Sequence, residues 1–254
     1  MQLSYAQKRQ FVDLGYVVVP GVVPTALVNA ALRAINACLD QGLPAERMQE
    51  MRAQSYCKEI QTQPVISDLF NRSPAHALLE SMVGEGTIPE ATGAQIALRF
   101  PSLADPPRPP SPHIDGIHTP TNGVPKGVIQ NFTGLVGIYL SGVNEEYAGN
   151  FAVWPGSHAR LQQFFRDTSP EAILDGMPKI DLGEPTQIMA QAGDVAICHY
   201  LLAHSACANV SPFIRYATYF RMHKQGHAER LRSTMVNMWE EWDGLQDMLL
   251  EEGR

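Results

Sequence analysis

The triplet His113-Ile114-Asp115 contains two side chains whose spacing is suited to binding a metal ion. Residues two apart on an extended chain project from the same side of the backbone, so this imidazole and this carboxylate can share one ion. Such a triplet also arises by chance, because both residue types are common. It therefore predicts a metal site only if a further ligand comes from elsewhere in the chain.

Two histidines further along the chain, His199 and His204, could supply that ligand. A strand that begins after Gly193-Asp194 and ends at a histidine would present the ring at the mouth of a barrel. We favour His204, whereas His199 is more typical of a core residue. Two histidines and one carboxylate leave three positions of an octahedron open, as in Fe(II) oxygenases, whereas zinc prefers closed tetrahedral sites. The prediction is an iron centre at His113, Asp115 and His204, which are also the catalytic residues.

Arg215 supplies a second kind of chemistry, the binding of a carboxylate through two parallel hydrogen bonds. It lies in the apolar run 213–217, where an inward charge needs a partner. A turn over 209–212 is expected to fold the next strand back beside the strand of His204. Fe(II) with one aspartate carries one positive charge and Arg215 adds another. A 2-oxoglutarate dianion would balance both, with O2 taking the last metal position.

The elements that position these residues change in character near residue 93. Residues 1–92 are predicted to be mainly helical, with helices from Ser4 to Leu14 and over 25–39 and a strand over 16–19. Residues 93–225 contain short apolar runs between turn residues, which predict a sandwich or jelly roll. The predicted strands are 95–100, 128–132, 135–140, 151–154, 188–190, 195–200 and 216–220. A helix over 159–166 interrupts them.

Two further segments have a clear pattern. The proline-rich stretch 101–112 cannot be a helix or a central strand, so it is a stiff loop that leads into His113. Residues 229–252 are amphipathic at helical spacing. They predict a C-terminal helix docked on the barrel, with a homodimer contact as the alternative.

Composition excludes several classes of function. The chain has 254 residues, 44% of them hydrophobic and 18% charged, which is typical of one globular domain spanning 1–254. A net charge of −7 disfavours nucleic acid and anionic membranes as partners. The four cysteines form no C-x-x-C pair, and neither a signal peptide nor a long apolar segment is evident, so we expect a cytoplasmic enzyme with a small-molecule substrate.

Taken together, these segments resemble the phytanoyl-CoA dioxygenase family of Fe(II)- and 2-oxoglutarate-dependent oxygenases. The resemblance covers nearly the whole chain. The matching segments, in chain order, are the helix-strand opening Phe11 to Val22, the His113-x-Asp115 triplet, the hairpin from Gly149-Asn150 to Pro155-Gly156-Ser157-His158, and the distal segment with Gly193-Asp194, His199, His204 and Arg215. Each segment is modest alone, but the ordered set is specific.

The resemblance implies a double-stranded β-helix, or cupin-like jelly roll, with helices packed outside. It implies Fe(II) at His113, Asp115 and His204, with 2-oxoglutarate anchored by Arg215. The chain departs from the family where members often have a hydroxyl two residues after the arginine, because Ala217 stands there. The residues that complete the co-substrate pocket and line the substrate pocket are therefore open. Candidates for the first are Gln95, Arg99, Asn131 and Thr133, and for the second His118, Phe132, Tyr139, Phe151, Trp154 and Arg221.

The sequence thus predicts a dioxygenase that hydroxylates a small organic metabolite and releases succinate and CO2. Desaturation, epimerisation and rearrangement by the same centre stay open, since related sites accept different molecules. The alternatives are a non-catalytic jelly-roll protein with a vestigial metal site and a metal enzyme that does not use 2-oxoglutarate.

Overall fold

The first third of the chain is helical, as predicted. The computed structural model describes residues 1–251 and 253. The helices of this part are α1 (Tyr5–Leu14), α2 (Thr25–Leu39), α3 (Met48–Ala53), α4 (Pro64–Asn71) and α5 (Ala75–Val83). The predicted capping box is present, because the Ser4 hydroxyl accepts from the Gln7 amide while the Gln7 side chain accepts from the Ser4 amide. Gly15 ends α1 with a φ of 82°.

Within the described residues, eight strands form two antiparallel sheets. The strands are β1 (Tyr16–Val19), β2 (Gln95–Arg99), β3 (Gly134–Tyr139), β4 (Phe151–Val153), β5 (Thr186–Gln187), β6 (Val195–His199), β7 (His204–Ala206) and β8 (Arg215–Met222). The large sheet has the order β1-β6-β3-β8-β2 and the small sheet the order β5-β4-β7. Helix α6 (Ser157–Asp167) lies between β4 and β5 in the chain, close to its predicted position. This is the predicted β core with added helices.

The inner face of the large sheet follows from the two-residue alternation of its strands. Arg215, Tyr219 and Arg221 of β8 all line one cavity. The register places Arg99 of β2 directly opposite Arg215, and Gln95 opposite Tyr219. Charged residues on two neighbouring strands are therefore directed into the same space.

Small residues make room in this space. Gly137 of β3 faces Tyr219, and a Cβ atom built on Gly137 would lie 2.8 Å from the Tyr219 ring. Ala97 and Ala217 are also paired across β2 and β8. Gly137 thus leaves room for the Tyr219 ring, and Tyr219 and Ala97 line the cavity.

Two of the predicted strands are wrong. Residues 128–132 are irregular, because Asn131 is bonded to other segments: its side chain donates to the Leu231 carbonyl and its own carbonyl accepts from His223. The strand predicted over 188–190 is replaced by β5, two residues earlier, and by an isolated bridge between Val143 and Ala190.

The path of the chain around His204 also differs from the prediction. Strand β6 ends at His199, the chain turns with the Leu202 amide donating to the His199 carbonyl, and His204 begins β7 rather than ending a strand. Strand β8 does not return beside β7, since β7 pairs with β4 in the small sheet and β8 pairs with β3 and β2 in the large one. His204 and Arg215 therefore come from opposite sheets.

The C-terminal helix predicted over 229–252 is wrong as a single helix. The segment is broken into α7 (Ser233–Val236) and α8 (Gln246–Glu251), and residue 252 lies outside the described residues. The break follows from tertiary contacts. Buried Glu241 is held by Arg230 and His227, and Trp242 packs on Phe11 at 4.6 Å between ring centroids. Most apolar side chains of the segment are buried in the chain's own core, whereas Leu250 is exposed.

Within residues 1–251 and 253, no helix combines the length and apolar character that crossing a membrane requires.

Candidate metal centre

His113 and His204 are brought together by their backbones. They form an isolated antiparallel bridge, in which the His113 amide donates to the His204 carbonyl at 3.0 Å and the His204 amide donates to the His113 carbonyl at 2.9 Å. Directly opposed residues on antiparallel strands have their side chains on the same face. The two imidazole rings accordingly lie 4.6 Å apart between centroids.

Asp115 completes the cluster that the sequence predicted. Its Oδ1 atom lies 3.8 Å from His113 Nε2 and 3.7 Å from His204 Nε2. One donor atom from each of the three residues lies within 4.8 Å of the other two. Three donors at mutual distances of this size can converge on one ion, and two imidazoles with one carboxylate is the donor set of a facial Fe(II) site. The residues present therefore fit iron.

The protonation of the cluster also suits a metal. His204 Nδ1 lies 2.9 Å from the Leu202 carbonyl and donates to it, so Nε2 is the ring nitrogen that faces Asp115. Burial and the adjacent His204 lower the pKa of His113, so its ring is neutral at neutral pH. Burial opposes ionisation of Asp115, but Arg221 and both imidazoles hold the pKa of its carboxyl well below the usual range. The His113 imidazole and the Asp115 carboxylate are therefore in the forms that coordinate a cation.

Arg221 fixes the orientation of Asp115. Its Nε donates to Asp115 Oδ2 at 2.8 Å, and its Nη2 donates to Gln95 Oε1 at 2.9 Å. Oδ2 is thereby occupied and Oδ1 is left for the metal. From the sequence Arg221 was a candidate for lining the substrate pocket, and this positioning contact was not foreseen.

Arg215 lies in the same cavity and is almost fully buried, with 2% of its surface exposed. Its Nε donates to the Gly149 carbonyl at 2.8 Å and its Nη1 donates to the Ala97 carbonyl at 3.1 Å. Its Nη2 has no hydrogen-bond partner within the described chain. A buried charge with a free donor is costly unless an anion meets it.

The Gly149-Asn150 turn signal has a structural role beside this arginine. Gly149 has a φ of 77°, and a Cβ atom built on it would lie 2.7 Å from Arg99 Cβ and 3.2 Å from Arg215 Cβ. The close approach lets the Gly149 carbonyl reach Arg215 Nε. Sequence reasoning identified the turn but not its contact with the arginine.

Arg99 is a second cation in this cavity, and the sequence analysis named it as a candidate for the co-substrate pocket. Within the described chain, the Arg99 side chain donates a hydrogen bond only to the Leu98 carbonyl. Asp115 is the one acidic side chain among the described residues that line the same cavity. Burial, together with the charge of Arg215, lowers the pKa of Arg99 to about 10. The Arg99 guanidinium therefore stays charged at neutral pH. The like charges repel, so this end of the cavity is prepared for an anion.

The cavity that joins these groups has a volume of about 360 Å³. Phe151 of the small sheet forms part of its wall and packs 5.2 Å from both the His204 ring and the Tyr219 ring. A second cavity of about 1000 Å³ adjoins it, with Asp115 and Arg221 among the residues that line both. Asp115 therefore stands where the two cavities meet, whereas His113 and His204 line the smaller one.

The other sequence candidates lie in different places. Asn131 and Phe132 line the second cavity, and Thr133 donates its hydroxyl to Glu241 away from the metal cluster. Tyr139 and Trp154 are buried outside the residues that line either cavity, and His118 is exposed with its Nδ1 beside the Val124 carbonyl.

His199 is a core residue, as the sequence indicated. Its Nε2 donates to the Met238 carbonyl and its Nδ1 accepts from the Leu201 amide, both at 3.0 Å. Its ring stacks on Trp242 at 5.4 Å between centroids. Burial lowers the pKa of His199 to about 3, so the ring is neutral.

Comparison with known proteins places this fold and site in a class. The model of the phytanoyl-CoA dioxygenase (PhyH) family matches residues 11–217, which include all four residues discussed above as the metal cluster and its arginine. The chain belongs to the phytanoyl-CoA dioxygenase family. The predicted family and the assignment as a dioxygenase are thereby confirmed. A search of curated proteins finds no match.

Solved structures share the fold at low sequence identity. The non-haem α-ketoglutarate-dependent carbocyclase SnoK from nogalamycin biosynthesis has a TM-score of 0.59 at 22% identity, covering 90% of this chain and 91% of that one. HygX from Streptomyces hygroscopicus, with nickel and 2-oxoglutarate bound, has a TM-score of 0.55 at 20% identity and 88% coverage of each chain. EctD from S. alaskensis, with 2-oxoglutarate and 5-hydroxyectoine, has a TM-score of 0.56 at 17% identity, covering 87% and 76%. These likenesses show the jelly-roll fold.

Proposed function

We propose that the protein is an Fe(II)- and 2-oxoglutarate-dependent dioxygenase that hydroxylates an organic molecule. The observation that carries the proposal is the convergence of His113, Asp115 and His204 in the lining of a cavity that Arg215 also lines. The family match and the 2-oxoglutarate complexes of structures with the same fold support it.

His113 Nε2, His204 Nε2 and Asp115 Oδ1 would hold the iron. When bound, the iron supplies the reaction of O2 with 2-oxoglutarate, which gives succinate and CO2 and delivers one oxygen atom to a C–H bond of the substrate. The contribution of the protein is to place the reactants and to limit the access of water. Arg221 keeps Asp115 in one orientation, and the Leu202 carbonyl keeps His204 in one tautomer.

Arg215 would bind the distal carboxylate of 2-oxoglutarate. Its Nε and Nη1 are fixed by backbone carbonyls, so the remaining nitrogen, Nη2, is presented in a fixed direction. Arg99, directly opposite on β2, would contribute a second positive charge to the same carboxylate. The keto-acid end would then reach the metal cluster at the other end of the cavity.

Anaerobic titration tests this function directly. The purified protein should bind one Fe(II) per chain, and 2-oxoglutarate should then produce a visible metal-to-ligand charge-transfer band. On admission of O2, succinate should form. If iron binds but the band and succinate are both absent, the protein is a metal protein that does not use 2-oxoglutarate.

A further inference from the structure

The first cavity has a marked excess of positive charge. Four arginines line it, and Asp115 is the one carboxylate among its lining residues. The arginines are Arg52, Arg99, Arg215 and Arg221. The net charge of the whole chain is −7, so this concentration of cations is local to the cavity.

The cofactors of the proposed function do not remove this excess. Fe(II) together with Asp115 has one net positive charge, so a 2-oxoglutarate dianion balances that charge and one arginine. Arg52, Arg99 and Arg221 would remain. Arg52 and Arg99 form no ion pair in the part of the chain that the structure describes, and Arg221 pairs only with Asp115, whose charge the metal already uses. A further anion bound here would offset this remaining positive charge, which water screens only in part.

Arg221 is placed to meet such an anion. It lines both cavities, so it stands where the small chamber opens into the large one. Two of its nitrogens are used by Asp115 and Gln95, while Nη1 makes no hydrogen bond within the described chain. Its side chain is 37% exposed, which leaves a route for a ligand. Arg52 is exposed and adjoins Ala53, which also lines both cavities.

The second cavity indicates the size and polarity of the remainder of the bound ligand. Its volume of about 1000 Å³ is at the upper end for binding sites of small organic ligands. Val124, Val128, Ile129, Phe132 and Leu231 contribute apolar walls. Its one lysine, Lys224, is already paired with Asp243 at 2.6 Å, and Asp115 is its one acidic lining residue. An apolar body fits this cavity, and a cationic group would face uncompensated repulsion at the Arg221 end.

We propose that the substrate is a bulky organic acid. Its carboxylate binds to Arg221 with support from Arg52 at the junction of the cavities, and its apolar body lies in the second cavity. This inference rests on the proposed function and specifies the substrate class of the same site. The carboxylate is held beside Asp115, so carbons near the acid group are the ones placed next to the metal.

The test uses the protein loaded with Fe(II) and 2-oxoglutarate in the absence of O2, so that Arg215 and Arg99 are already occupied. The probes are matched sets of an acid, its primary amide and the corresponding amine, built on naphthyl, biphenyl and decyl skeletons. Dissociation constants are measured by calorimetry and by the change in the charge-transfer band. The best acid should bind at least tenfold more tightly than its amide, the amine should bind more weakly still, and the preference should shrink as salt is raised.

Variants locate the two parts of the substrate. Arg52→Gln should reduce the preference for acid over amide severalfold while the affinities for Fe(II) and 2-oxoglutarate stay unchanged, and Arg33→Gln, on an exposed position of α2, is the matched control. Phe132→Ala should weaken acid and amide equally, because it changes only the apolar wall. Equal binding of acids and amides across the panel, or a preference that survives both Arg52→Gln and Arg221→Gln, would overturn the inference. Failure of the wild type to bind Fe(II) or 2-oxoglutarate at the loading step would instead overturn the proposed function.

Discussion

Arg99 and Arg215 stand directly opposite each other on the antiparallel strands β2 and β8, and both line the cavity that contains the candidate metal cluster. Like charges in directly opposed positions destabilise a sheet. The two guanidiniums therefore repel each other, and an anion bound between them would relieve the repulsion. If that anion is 2-oxoglutarate, as proposed, the register of these two strands contributes to its binding energy.

Replacing these arginines one at a time should separate their roles. Arg215→Lys should weaken 2-oxoglutarate binding by about 2 kcal/mol or more, roughly thirtyfold, because lysine cannot keep the backbone contacts of the guanidinium and present a free donor as well. Arg99→Gln should weaken 2-oxoglutarate binding less, because the Arg99 side chain is held only by the Leu98 carbonyl of its own strand and is therefore less fixed in position. Both variants should bind Fe(II) like the wild type. Unchanged 2-oxoglutarate affinity in Arg215→Lys would contradict the assigned role.

The metal ligands can be tested against a nearby histidine that is not a ligand. His113→Gln should lose Fe(II) binding, by tenfold at least, because one of three protein donors is removed. His118→Gln is the control, since His118 is exposed and lies outside the lining of both cavities. Metal content and anaerobic titration measure the difference. Equal iron binding by the two variants would remove His113 from the site.

Substitution of Gly149 should weaken 2-oxoglutarate binding through the two arginines rather than through a direct contact with the ligand. In Gly149→Ala the new methyl group would meet Arg99 and Arg215 at once, and the Gly149 carbonyl would move from Arg215 Nε. We expect 2-oxoglutarate affinity to fall severalfold and iron binding to stay.

Gly176→Ala is the matched control for this change. Gly176 also has a positive φ, of 109°, but a Cβ atom there meets nothing within 4 Å. It therefore reports the backbone strain of alanine alone. A similar loss of 2-oxoglutarate affinity in both variants would show that the contact with the arginines is unimportant.

Buried His199 should make the fold sensitive to acid. Burial depresses its pKa in the folded protein to about 3, against a usual value near 6.5. The stability from the neutral ring is therefore fully present above about pH 6.5 and declines by about 1.4 kcal/mol per pH unit as the pH falls toward 3. His158 and Glu241 also act on this ring, the first opposing and the second favouring its protonation.

Unfolding curves from pH 7.5 to pH 4.5 measure the effect. His199→Gln should be less stable at pH 7.5, because a tightly packed ring is lost, but its stability should fall less steeply with acid. His118→Gln should follow the wild-type slope. If His199→Gln and the wild type have parallel profiles, a different group causes the acid sensitivity.

The four candidate site residues could be identified from the sequence because each belongs to a local pattern: a triplet around His113, a glycine-aspartate entry before His204, and a charged residue in an apolar run at Arg215. It did not predict which sheet each would join. That choice depends on pairing between distant strands, and His204 and Arg215 belong to different sheets although a short loop separates them. A local sequence pattern does not show which of the two sheets a strand joins.

The remaining errors have the same origin. The C-terminal segment has a helical pattern, but Glu241 is drawn into a buried network with His227, Arg230 and Thr133, and these contacts outweigh helix propensity. The contact of Arg221 with Asp115 joins residues far apart in the chain and has no local signature. The sequence therefore predicts which residues are polar and inward more reliably than which partners they choose.

The division of the site between two sheets has a mechanical consequence. His204, and through its backbone bridge His113, belong to the small sheet, whereas Arg215, Arg99 and Arg221 project from the large one. A metal ion held by the small sheet and a dicarboxylate held by the large sheet would, when bound to each other, connect the two sheets. A substitution that increases the distance between the sheets would therefore weaken ligand binding, even when it lies far from the site. Bound ligands would in turn fix the distance between the two sheets.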